Sequence, residues 1–209
     1  MRAEDPYRRI AGVYDRLVEP MQAGVRRVAL DVLPPRPEWQ VLDVGCGTGT
    51  GLAQYAEAGC TVVGVDVSAA MLDRAAARLG DRAELHLTDG DDLPFEDSRF
   101  DLVTTSMVLH EIPPGAREAF VAEMSRVAKP QGRMLFVDFR FGQLRGWKGP
   151  TLRALSWVME RFSGHYSGYQ SFKSSGGVPW VVARVGLTIE REKIVAGGNV
   201  AIYEVAPQL

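Results

Sequence analysis

Apolar residues along this chain alternate between two periods, which lays out a series of helices and strands. Tyr7, Ile10, Ala11, Tyr14, Leu17 and Val18 recur at intervals of three and four, one amphipathic helical face. Pro20 breaks that run, and Val25, Val28, Ala29, Val32 and Leu33 make a second helix. Pro34, Pro35 and Pro37 form a stiff connector. Val41, Leu42 and Val44 are a short continuous apolar run, as in a strand buried on both faces. The run stops at Gly45, Gly47 and Gly49, and Leu52, Ala53 and Ala56 then resume helical spacing. Thr61 to Val65 is the next strand, closing on Asp66. Ser68 caps a helix to Leu79 with Met71, Leu72, Ala75 and Leu79 inward, and Gly80 ends it. Ala83–Leu87, Leu102–Thr105 and Met134–Phe139 read as further strands, with an amphipathic helix over Arg117–Ala128 and a turn at Lys129–Gly132. Leu187–Val195 and Val200–Val205, joined by Ala196-Gly197-Gly198-Asn199, read as a β-hairpin.

Alternating strands and helices of this kind belong to the α/β class. With 209 residues the chain is one domain, large enough for a substantial core. Its net charge of −2 gives no whole-protein attraction to nucleic acid, and a basic groove with interleaved aromatics for RNA is not apparent. The two cysteines, Cys46 and Cys60, do not suggest a disulfide framework, and no apolar stretch resembles a signal peptide or a membrane span. The expectation is a cytoplasmic protein. No Asp-Asn pair ends the fifth strand, so no metal site is expected there.

Chemistry concentrates at Gln40–Thr50, Q-V-L-D-V-G-C-G-T-G-T. Strand, glycine turn and helix let a ligand lie against bare backbone, since no Cβ blocks its approach. A dinucleotide fingerprint needs G-x-G-x-x-G, yet the third glycine position holds Thr50 counted from Gly45 and Leu52 counted from Gly47. Asp43 at the mouth of the turn repels phosphate and attracts a cation, which suits a nucleoside with a positively charged tail. An acid at the end of the second strand, here Asp66, typically accepts from a ribose diol. After the third strand, Asp89 could accept from an adenine amine while the Gly90 N–H meets a ring nitrogen.

The run D-x-G-x-G-x-G from Asp43 to Gly49 resembles the first motif of the class I methyltransferases, which bind S-adenosylmethionine (SAM). The stretch D-G-D-D-L-P-F-E-D-S-R-F-D-L-V resembles the third and fourth motifs of the ubiquinone/menaquinone-biosynthesis type, and Lys129-Pro130-Gln131-Gly132 resembles that family's L-K-P-G-G turn, with Gln131 in place of a glycine. The resemblance covers about residues 40 to 140 and implies a Rossmann-like seven-stranded, mostly parallel sheet with helices on both faces and an antiparallel C-terminal hairpin. It implies SAM as cofactor, held by Asp43, Gly45, Cys46, Gly47, Gly49, Asp66, Val67, Met71, Asp89, Gly90 and Ser106. A single domain then divides into an N-terminal helical lid (1–38), a SAM-binding core (39–140), a cap helix and loop (141–186) and the hairpin (187–209).

For the acceptor, His110 lies just beyond the fourth strand, at the carboxyl edge where open α/β sheets bind ligands. With an ordinary pKa near ~6.5 it could act as base toward a phenolate or enolate carbon, or only shape the site; an amine acceptor would need no base. Tyr7 and Tyr14 either close over a ligand or pack as core. Gly164 to Tyr169 reads as a loop that brings His165 and Tyr166 to a pocket wall. Residues 140–162 set Arg140, Arg145, Lys148, Arg153 and Arg161 among Phe141, Leu144, Trp147, Leu152, Leu155, Trp157, Val158 and Phe162. Such a segment either meets an anionic membrane or lipophilic substrate or packs between strands. The expected function is methyl transfer to a small lipophilic acceptor, a quinone precursor or a phospholipid headgroup. The N-P-P-[YF] run of nucleic-acid amino methyltransferases is absent. A non-catalytic SAM-binding partner, SAM chemistry other than methylation, and NAD use are the alternatives, the last opposed by the failed glycine register.

Overall fold

Strands β1 (Gln40–Val44), β2 (Thr61–Asp66), β3 (Ala83–Leu87), β4 (Phe100–Ser106), β5 (Ala128–Phe139), β6 (Thr188–Val195) and β7 (Val200–Ala206) form one sheet in the order β3-β2-β1-β4-β5-β7-β6. The computed structural model describes residues 5, 7–8, 11–88, 92–163 and 166–207. Pairing is parallel from β3 through β5, and β7 runs antiparallel to both β5 and β6. This is the expected Rossmann-like sheet with its antiparallel C-terminal hairpin.

The helices are α1 (Ala11–Val32), α2 (Thr50–Glu57), α3 (Ala69–Leu79), α4 (Arg117–Val127), α5 (Lys148–Ser163), α6 (Tyr166–Ser175) and α7 (Val178–Arg184). Alternation along each strand sends neighbouring residues to opposite faces. Leu42, Val63 and Val103 join one core with Phe120 and Met124 of α4, Phe172 of α6 and Val181 of α7. Val41, Val62, Leu102 and Leu135 join the other with Ala29 and Val32 of α1, Leu52 of α2 and Leu79 of α3. Both faces are covered, which is why β1 reads as an unbroken apolar run.

Three local expectations change. Pro20 does not divide the N-terminal segment: α1 runs through it as one helix. A proline lacks the amide for one helical bond, and here that loss does not end the helix. Lys129–Gly132 is no free turn but part of β5, where the register jumps from Phe100↔Ala128 to Leu102↔Arg133 and the intervening residues bulge. The segment read as a loop up to Tyr169 is helical from Tyr166 onward, and Gly164 and His165 lie outside the described residues.

Helix α5 is fastened beside the carboxyl edge. The Arg153 guanidinium donates to Arg140 O (2.5 Å), Gly198 O (3.2 Å) and Asn199 Oδ1 (3.1 Å), and Asn199 Nδ2 donates to Ser156 Oγ (2.9 Å). The packing-helix reading of residues 140–162 therefore holds for the inner side of α5. Among the described residues, no helix is long and apolar enough to cross a membrane.

Candidate functional site

Strand β1 carries Asp43 and the glycine turn to the carboxyl edge of the sheet. Gly45, Gly47 and Gly49 have φ of 81°, 55° and 74°, in the left-handed region that a Cβ disfavours. At Gly45 a Cβ would also collide with the Val108 side chain, which arrives from the segment after β4. At Gly47 a Cβ would meet nothing within 4 Å, so this backbone fronts open space, as a cradle must. The turn is pinned from behind by bonds from Gly45 N (2.8 Å) and Cys46 N (3.0 Å) to Val65 O.

Asp66 ends β2 and faces that turn. Its Oδ2 accepts from Gly47 N (2.8 Å) and its Oδ1 from Ser68 N (2.9 Å). A carboxylate offers about four acceptor sites, so about two remain for a diol. Burial raises its pKa, opposed by the Ser68 and Gly47 N–H donors and assisted by the negative charges of Glu111 and Asp5. Asp43 is buried, and its Oδ1 has no hydrogen-bond partner among the described residues. Burial and then the Asp66 charge push its carboxyl up to about 7, against the pull of Arg26 on α1. An unsatisfied buried acceptor costs roughly 1–3 kcal/mol. Carboxylates gathered round an open glycine cradle fit a ligand that brings positive charge.

The nucleoside side continues at the ends of β2 and β3. Val67 is 51% exposed and Leu87 is 47% exposed, apolar surface that a flat base would cover. Met71 is buried in α3, donating its N–H to the capping Ser68 Oγ (3.1 Å). Cys46 is buried, and burial pushes its thiol well up. Asp89 and Gly90 lie outside the described residues.

The other half of the edge is built on β4 and β5. Ser106, half-buried, ends β4, and Met107 follows at φ 59°, its N–H donating to Val137 O (2.8 Å). A non-glycine residue in that region is strained backbone that its surroundings must enforce. The turn delivers His110, which is buried, to Asp138 of β5: His110 Nδ1 lies 2.8 Å from Asp138 Oδ1 and His110 N donates to Oδ2 (3.3 Å). Asp138 Oδ1 also accepts from Phe139 N (2.7 Å). On its far side, His110 Nε2 is 3.8 Å from Glu111 Oε1. Aromatic rings surround the pair: Phe139 meets His110 edge-on at 4.7 Å, Tyr169 meets Phe139 at 5.2 Å, and Phe141 meets Tyr169 and Phe172.

Two devices close this half. The buried Arg117 donates to Leu109 O (3.1 Å) and Gly168 O (2.8 Å), tying α6 to the segment that carries His110. Gly168 permits that approach, since a Cβ there would lie 2.8 Å from His110 O and 3.1 Å from Glu111 O. From the N-terminal side, Asp5 accepts from Ser68 Oγ (2.8 Å) and Ala70 N (3.0 Å), and the Tyr7 hydroxyl donates to Glu111 Oε2. Asp5 thus contacts the start of α3, and Tyr7 the segment after β4. Tyr14 lies on α1, its side chain outside the described residues, as is His165. Tyr166 packs edge-on against Trp157 and under Arg161, in contact with α5.

Several of these residues escaped the reading of the sequence. Asp138 stands in no motif, although an acid at the carboxyl end of the strand beside β4 is a site position by the same rule that selects Asp66. Glu111, Arg117, Phe139 and Phe172 carry no local motif.

A family described as a methyltransferase domain matches residues 41–132 of this chain. The demethylmenaquinone methyltransferase of Renibacterium salmoninarum is 32% identical over 191 residues, which cover 85% of this chain and 78% of that protein. An uncharacterised methyltransferase of Synechocystis is 30% identical over 179 residues, covering 85% and 80%. Among solved structures, a SAM-dependent methyltransferase from Aquifex aeolicus superposes with a TM-score of 0.67 at 17% identity, covering 95% of this chain and 98% of that one.

Proposed function

This chain belongs to the class I SAM-dependent methyltransferases, and on that premise we propose that its acceptor is a small lipophilic aromatic hydroxyl compound of the quinol or enol type, activated by His110. The observation that carries this reading is the buried His110–Asp138 pair inside a wall of Phe139, Phe141, Tyr169 and Phe172. An apolar ring stacks well in such a wall, and an acceptor that must lose a proton gives a buried histidine–carboxylate pair a use as its base. The menaquinone-related name of the relative from Renibacterium points to the same chemistry.

In the cofactor half, the Gly45–Gly49 turn would receive the methionine end, Asp66 the ribose diol, and Val67 and Leu87 the two sides of the base. The open cradle at Gly47 and the unsatisfied Asp43 Oδ1 fit a cationic ligand. When bound, SAM supplies a methyl group on a positively charged sulfur. The protein's own work is alignment, dehydration and one proton transfer. Asp138 accepts the hydrogen bond from Nδ1–H and so fixes the tautomer, and His110 Nε2 is the nitrogen that receives the acceptor's hydroxyl proton. Asp138 and Glu111 flank the imidazolium that results, and Glu111, partly exposed, leads the proton toward solvent. Arg117 holds α6 over the site, and the Tyr7 strap keeps water out.

The test is an acceptor panel: a soluble naphthoquinol, a simple phenol and phosphoethanolamine, each incubated with methyl-labelled SAM and the protein or its His110→Gln variant. Label on the quinol, greatly reduced in the variant, is the expected result. Label on the amine, indifferent to the variant, would replace the acceptor with one that needs no base.

A further inference from the structure

Helix α5 has two unlike sides. Gly149, Arg153 and Ser156 face the sheet edge, where Arg153 is clamped. Thr151, Ala154, Leu155 and Val158 recur at three and four on the opposite side and are exposed. Trp147, just before the helix, is 79% exposed, and Trp157 flanks the same side. An apolar stripe of this extent on a helix fixed to the body from behind marks an interaction surface rather than scattered exposure.

We propose that this outer face of α5 docks the protein onto an anionic lipid surface. Charge selects the occupant. From residue 140 to 162 the chain carries Arg140, Arg145, Lys148, Arg153 and Arg161 against one acid, Glu160, although the whole chain has a net charge of −2. Arg140 is paired with Glu192 and Arg153 is turned inward, whereas Arg145, just before the helix, and Arg161, in its last turn, are exposed. A second copy meeting this face would oppose like charges, whereas an anionic headgroup layer attracts them and accepts the tryptophans at its boundary. Leu155, Trp157 and Val158 stand outward on the middle of the helix, the apolar face that an interfacial helix presents. The docking rests on the lipophilic-acceptor reading only for its purpose: α5 packs against α6, which roofs the His110 site, so docking would hold the acceptor side near the layer where such a compound dissolves.

Flotation with vesicles tests this without any acceptor. The intact protein should float with phosphatidylglycerol-containing vesicles and not with pure phosphatidylcholine, and should be released by high salt. The Leu155→Glu/Val158→Glu variant should lose binding by about tenfold or more, since two apolar anchors are replaced by charges of the wrong sign. Arg145→Glu, which leaves the stripe intact, should lose about fivefold to tenfold. SAM binding, measured calorimetrically, should be unchanged in both variants and certifies that they are folded. No flotation of the wild type, equal flotation of the variants, or a dimer in sedimentation that the Leu155→Glu/Val158→Glu variant dissolves would overturn the proposal. Methylation of a soluble quinol reports separately on the acceptor reading, so the two can fail independently.

Discussion

The carboxyl edge of the sheet divides into two halves made in different ways. Around β1 and β2 the site is mostly backbone: three glycines at positive φ, the amides of Gly47 and Ser68 that the Asp66 carboxylate answers, and beside them the buried carboxylate of Asp43. Those residues lie within 26 positions, Asp43 to Ser68, and their spacing is dictated by one strand–turn–helix–strand unit. Around β4 and β5 the site is mostly side chain: Tyr7, His110, Glu111, Arg117, Asp138 and the aromatic rings come from segments spread over most of the chain. On the proposed function, the cofactor would be met by local geometry, whereas the groups facing the acceptor would be gathered by long-range packing. The two halves touch where Val108 packs on Gly45.

The sharpest way to separate them is His110→Gln. Turnover should fall by about 10²–10⁴-fold, the usual worth of a positioned base, while SAM affinity stays as it was. A kinetic assay with a soluble quinol beside a SAM titration checks both, and loss of SAM binding would mean that the halves are one unit. Gly45→Ala attacks the seam. Its φ of 81° and the collision with Val108 should cost about 1–3 kcal/mol of stability and disable SAM binding together, seen as a lowered thermal midpoint and a silent titration.

This division also explains what was legible beforehand. The sheet, its order of elements and the Asp43–Gly49 and Asp66 positions were readable because period and glycine spacing are local signals. The place of His110 at the carboxyl edge was readable from its position after β4. Its partner was not, because Asp138 acquires meaning only when β5 is set beside β4. Arg117 reads as an ordinary residue at the start of an amphipathic helix, yet it bridges to Gly168 across 51 positions of chain. Pro20 misled because a single residue's preference was weighed above the amphipathic face running on both sides of it.

A smaller, graded effect belongs to the cofactor half alone. Asp43 is held at about 7 in the folded chain against an ordinary 3.8, so between those values the folded state binds more protons than the unfolded one. Without ligand, the protein should lose stability as pH rises from about 4 to about 7. A cationic ligand favours the ionised carboxylate. SAM affinity should therefore climb with pH, by up to about tenfold per unit for one proton, and level off above about 7. Titrations near pH 6 in buffers of different ionisation enthalpy should register the released proton. A flat profile would place the positive charge of SAM away from Asp43.

The most direct test is one calorimetric titration of SAM into three proteins: wild type, Asp66→Ala and His110→Gln. Asp66→Ala should weaken binding by about 1–3 kcal/mol, the scale of a lost buried partner, and His110→Gln should bind as the wild type does. Unchanged affinity in Asp66→Ala, or an equal loss in both variants, would contradict a cofactor half built on β1 and β2 and separable from the acceptor half beside it.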